Sequence, residues 1–159
     1  MDSATLIRTA KLIALPLPFA LAGYSYAFSQ NAVPLIYDAP AHVATPVFKG
    51  VYYRGAATVL PGSVAAASAA AYLAYALPAQ RNIWAIAAAF TLSAPVYTGL
   101  IMKAGINRLL EIDGSKAMQE KATATLEHRQ LLVKWVGQNY IRAALWLAAG
   151  LTALRAEYM

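Results

Sequence analysis

The chain has 159 residues, 60% of them hydrophobic and 13% charged, with a formal net charge of +6 and no cysteine. A mean hydropathy of +0.48 lies outside the range of ordinary soluble domains and points to an integral membrane protein. The lack of cysteine excludes disulfides, thiolate metal sites and a cysteine nucleophile, and without a basic patch interleaved with aromatics the positive charge reads as membrane orientation rather than nucleic-acid binding.

Residues 12–37, 55–80 and 82–102 contain no Asp, Glu, Lys or Arg. Each run can supply the ~20 residues that cross ~30 Å of hydrocarbon as a helix. Residues 135–154 make a fourth, broken only by Arg142. The predicted fold is all-α: one four-helix transmembrane bundle over residues 1–159, with helices at about 5–30, 48–77, 83–102 and 116–156.

Arg8 and Lys11 precede the first apolar run as in a signal peptide, yet Pro16 and Pro18 interrupt it and no small-residue cleavage site follows. The helix is therefore kept, kinked at the prolines. Residues 31–49 carry Pro34, Pro40 and Pro46 with Asp38 and His42, which predicts a loop folding as a lid. In the second helix Gly62, Ala66, Ala70 and Ala74 recur every fourth residue and allow close helix approach, within one chain or between copies in a homo-oligomer. The short turn at 78–82 makes helices two and three antiparallel neighbours. Pro95, at mid-depth in the third, frees the Thr91 carbonyl for a nearby hydroxyl.

Asn107 and Arg108 are expected to cap that helix, and Ser115 to be the N-cap of the next. No proline follows Lys116, so one helix of ~60 Å is predicted, half of it projecting beyond the bilayer. Lys49, Arg54, Lys103, Arg108, Lys116, Lys121, Arg129 and Lys134 outnumber Arg8, Lys11, Arg81 and Arg155 on the other side. By the positive-inside rule the former are cytoplasmic.

At 100° per residue His128, Trp135, Asn139, Arg142 and Trp146 fall on one helical stripe. An arginine and an asparagine facing lipid are costly, so this face is the default site; the competing reading is a snorkelling or structurally paired arginine. The two histidines cannot build a three-histidine metal site, and no spanning segment holds a carboxylate. An axial histidine to haem, His42 or His128, stays open. The plain alternatives are His42 paired with Asp38 in its loop and His128 at the interface near Glu127.

The series Tyr52-Tyr53-Arg54-Gly55 to Pro61, Tyr72-Leu-Ala-Tyr75, Pro95-Val-Tyr97-Thr98, Asn107-Arg-Leu109 and Trp135-x-x-x-Asn139-x-x-Arg142 resembles the small integral-membrane anthrone oxygenases of fungal aromatic polyketide pathways. The resemblance covers roughly residues 48–154. It implies oxidation of an anthrone to the anthraquinone with molecular oxygen, through a delocalised anthranolate that passes an electron to oxygen without a cofactor. It further implies Arg142 and Asn139 at the oxyanion, with His128, Tyr97 or His42 as candidates for the base. Trp135 and Trp146 would stack on the rings, and Asn107, Tyr53 and Arg54 would complete the substrate contacts. The fungal resemblance implies the endoplasmic reticulum. Competing readings are a haem-dependent membrane oxidase using His42 or His128 and a non-catalytic membrane scaffold subunit.

Overall fold

Asp2 opens the first helix, its carboxylate accepting the Thr5 N–H at 2.8 Å. Helix α1 (Ser3–Ala14) passes through Leu15, itself in helical conformation, into α2 (Pro16–Ala27). Pro16 occupies the first helical position, where its missing N–H costs little. A π-helical turn at Phe28–Ala32 and a 3-10 turn at Val33–Ile36 carry the path on. This computed structural model describes residues 2–159 and contains no strand among them.

Helix α3 (Ala41–Ala76) begins seven residues before the predicted start and holds Pro46 and Pro61 within it. The expected lid therefore contracts to a connection at 37–40. Side chains from distant segments secure this extension: the Ala41 N–H donates to Thr123 Oγ1 at 2.9 Å, and Lys49 pairs with Asp113 at 2.9 Å. Asp38 pairs with Arg129 rather than His42, at 3.2 Å.

After a 3-10 turn at Pro78–Gln80, α4 (Arg81–Tyr97) runs through a π-helical turn at Thr98–Met102 into α5 (Lys103–Asp113). Asn107 and Arg108 thus lie inside a helix and cap nothing. The Arg108 guanidinium spans Glu127 at 2.7 Å and Glu111 at 3.4 Å. The hydroxyls around Pro95 do not take up the Thr91 carbonyl; Thr91 and Thr98 donate to Ala87 and Ala94 instead.

Ser115 caps α6 (Lys116–Thr125) as expected, accepting the Met118 N–H at 3.5 Å. The single 60 Å helix does not form. Leu126 adopts a left-handed conformation, φ 57° and ψ 20°, and α7 (Glu127–Glu157) starts anew. Helix α6 then folds back, burying Ala122 with Ala41 and Ile112.

Helix α7 packs along α4 and α2, and α3 along α4, α1 and α5. The small-residue face of α3 buries Ala66, Ala70 and Ala74, the last two in one cluster with Trp84, Ala87 and Ala88 of α4. That close approach is the one its four-residue repeat predicts. The segments Ser3–Ile36, Ala41–Ala76 and Pro78–Asp113 are long and apolar enough to cross a membrane. Helix α7 is not among them, since Gln130, Lys134, Gln138, Asn139 and Arg142 dilute its apolar content. Outward-facing Leu12, Leu60, Val64 and Leu100 are exposed, as expected where lipid rather than water covers the surface.

Candidate active site

Between α2, α3, the α4 end and α7 lies a cavity of about 230 Å³. Its walls come from Tyr24, Ser25 and Phe28, from the α3 stripe Val51 to Leu60, from Pro95, Thr98 and Gly99, and from Trp135, Asn139 and Arg142. Both π-helical turns border it, at Phe28 and at Thr98–Gly99. Such turns widen the helical register locally and recur at functional sites.

Asn139 is fully enclosed, and its neighbours fix its amide orientation. Its Nδ2 donates to the Ser25 carbonyl and to Ser29 Oγ, both at 2.9 Å, and its Oδ1 accepts from Arg142 Nη1 at 2.9 Å. A carbonyl only accepts and a guanidinium only donates, so the reverse flip fails on both sides. Asn139 therefore has no donor left for an oxyanion. It positions Arg142.

Arg142 carries its charge into this apolar interior with no ion-pair partner among the described residues. Its guanidinium lies 5.0 Å from the centroid of the Trp146 ring, a cation–π arrangement. Its Nε is buried without a hydrogen-bond partner, as are the indole nitrogens of Trp135 and Trp146. Buried donors are normally satisfied, so Arg142 Nε and Trp135 Nε1, on residues that line the cavity, stand out as donors without a partner among the described residues. Trp146 lies wholly buried beneath the arginine and supports it rather than lining the space. Phe48 meets the Trp135 ring edge-on at 5.4 Å and locks it.

The other expected site residues lie elsewhere. His128 is buried at the α6–α7 junction, with Nδ1 3.0 Å from the Ala122 carbonyl and Nε2 2.9 Å from the Ala39 carbonyl. Both nitrogens face backbone acceptors, and the side chain is enclosed by the protein. His42 is exposed on the first turn of α3, in a separate recess with Lys116, Glu120 and Thr123. Tyr97 packs into the cluster around Phe48 and Trp135 without lining the cavity. Tyr53, Arg54 and Asn107 are exposed. At the Tyr52-Tyr53-Arg54 run it is Tyr52 that turns inward.

Tyr24, Ser25, Ser29, Tyr52 and Thr98 are the polar site residues that the sequence reading did not assign. Two signals were available. Ser25 and Ser29 stand four apart, on one face of an otherwise apolar helix. Tyr52, Gly55, Ala56 and Val59 likewise share an i, i+3, i+4, i+7 face of α3.

Fold and site together define a class: a small protein, all-helical in its described residues, with segments long and apolar enough to cross a membrane and a half-buried arginine without an ion-pair partner at an aromatic-lined cavity. The sequence model of the anthrone oxygenase family matches residues 48–152, about two thirds of the chain, and the protein belongs to that family. No curated protein and no solved structure matches it. Family membership supports an oxygenase that acts on an anthrone with molecular oxygen.

Proposed function

We propose that the protein converts a hydroxylated anthrone of an aromatic polyketide pathway to the anthraquinone, in a four-helix transmembrane bundle of the endoplasmic reticulum. The observation that carries this is Arg142, a half-buried cation at an apolar cavity with no carboxylate partner among the described residues and a buried, unsatisfied Nε. Its counter-charge is the substrate's.

The anthrone's central methylene loses a proton, and the charge moves through the rings to the opposite oxygen. Arg142 holds that oxyanion, with Trp135 Nε1 as second donor, in a water-poor site where such contacts are strongest. No histidine or carboxylate lines the cavity. We assign proton acceptance to Tyr52, which lines the same cavity as Arg142, its hydroxyl taking the carbon's proton as its own passes to water at the cavity. The anion then gives one electron to oxygen, and recombination of the radical pair forms the C–O bond. Protonation yields the hydroperoxide. Loss of the second methylene proton with O–O cleavage releases water and leaves the quinone carbonyl, so one anthrone and one O₂ give one anthraquinone and one water. This sequence requires no resident cofactor.

The test is oxygen uptake by purified protein given emodin anthrone, after chelation and with an absorption spectrum of the same sample. Uptake above the spontaneous rate, without a Soret band, is expected. Arg142→Lys keeps a charge but loses the planar fork and its stacking on Trp146; turnover should fall about 10²- to 10³-fold, the loss of one oriented donor, while the protein stays folded. Wild-type turnover in Arg142→Lys removes Arg142 from the chemistry, and no uptake by the wild-type protein removes the oxygenase reading.

A further inference from the structure

We infer that the substrate enters the cavity sideways from the lipid, through a mouth between α3 and the π-helical turn that follows α4. The inference deepens the proposed reaction and rests on it for the occupant, a planar, lipid-dissolved aromatic bearing an ionisable oxygen.

Of the residues that line the cavity, only Leu60 and Gly99 are exposed. Leu60 is 52% exposed, and Val96 and Leu100, beside Gly99 on the other rim, are 56% and 79% exposed. The rim is thus wholly apolar. Leu60 lies about 9 Å along its helix from Arg54 and Gly99 about 6 Å from Lys103 at ~1.5 Å per residue, both inside the uncharged runs 55–80 and 82–102. The mouth therefore opens in the outer part of the hydrocarbon on the side of those two cations, below the headgroups and among acyl chains.

The interior reverses that polarity. Ser25, Asn139 and Arg142 line it, so an aromatic crossing the apolar rim meets the cavity's only cation inside, with its oxygen leading. A Cβ added at Gly99 meets nothing within 4 Å, so the glycine is not required for helix packing, and a bulky group at this position would occupy the opening. Pro61 and Pro95 lie beside the rim on either side. Each removes a helical hydrogen bond from the wall it borders.

The cysteine-free chain permits single-site nitroxide labelling at Gly99→Cys. Gly23→Cys serves as control, since Gly23 is exposed, lies outside the cavity and likewise has nothing within 4 Å of an added Cβ. Both are placed in phosphatidylcholine vesicles. At position 99 the label should collide with dissolved oxygen far more than with a water-soluble nickel chelate, and should lose mobility when emodin is added. The label at 23 should show no emodin response. Labelling at 99 should lower kcat/KM for the anthrone at least tenfold, mainly through KM, while the control keeps wild-type values. Free access of the nickel chelate to position 99, or wild-type kcat/KM in the protein labelled there, overturns the inference. If unlabelled protein consumes no oxygen, the proposed reaction fails, and the collision and mobility measurements still decide the portal.

Discussion

Asn139→Asp separates the positioning of Arg142 from its charge. The side chains are nearly the same size, and a carboxylate at this position would still accept from Arg142 Nη1, now 2.9 Å from Asn139 Oδ1. It would also neutralise the guanidinium. Unit charges ~4 Å apart attract by about 4 kcal/mol at an effective dielectric of ~20, which is the attraction otherwise available to the substrate oxyanion. Losing an oxyanion donor costs about 10²- to 10³-fold in kcat, and a drop of that size is expected in single-turnover oxygen uptake. The new ion pair offsets the lost donors to the Ser25 carbonyl and Ser29, which predicts a change in unfolding free energy within about 2 kcal/mol. Asn139→Leu is the reference: it orphans Arg142 Nη1 as well, and should destabilise by about 2–4 kcal/mol. A folded Asn139→Asp variant with wild-type kcat would refute the role given to Arg142.

Leu126→Gly should stabilise the protein by about 0.5–1 kcal/mol in thermal unfolding, because glycine holds the left-handed conformation without strain and the 54%-exposed leucine forfeits little burial. Gly150→Ala should destabilise by about 1–3 kcal/mol, since the new Cβ would fall 2.8 Å from Phe19 Cε2; adding Phe19→Leu should recover most of the loss. Arg108 holds the Glu127 carboxyl below the usual carboxylate range through their hydrogen bonds. A depressed folded-state value means that this contribution is complete above the ordinary glutamate pKa and is lost as pH falls through the folded one. The melting temperature should therefore fall on acidification below about pH 4.5, and part of that slope should be absent in Glu127→Gln.

The stripe of Trp135, Asn139, Arg142 and Trp146 was legible because a polar pair four and seven residues from tryptophans has one helical reading, and the surrounding Ala and Leu point the other way. The partners of that stripe were not. Ser25 and Ser29 sit 114 and 110 residues from Asn139, and no local pattern states which distant helix an amide will face. The break at Leu126 was hidden for a related reason: leucine is a poor left-handed residue, and its conformation is imposed by the docking of α6 on α3 and α5. The prolines at 40 and 46 suggested a loop, but one stands just before a helix and the other near its start, where proline is better tolerated than in the middle. Tyr53 and Tyr52 were separated only by 100° of rotation, too fine a distinction for a helix with tyrosines on adjacent faces.

The contact between the Ala41 amide and Thr123 spans 82 residues and bears on biogenesis. Pro40 offers no side-chain cap, and Thr45 and Lys49 likewise turn toward Asp113, at 3.5 and 2.9 Å. The opening turns of α3 thus take their terminal support from residues synthesised much later. A ribosome delivering the chain in order would present the bilayer with this helix while its first turns are still frayed, and they would settle only when the segment around Ser115 to Thr125 emerges. Nascent chains stopped before that point should be cleaved by protease near residues 37–47, and chains extended past it should resist.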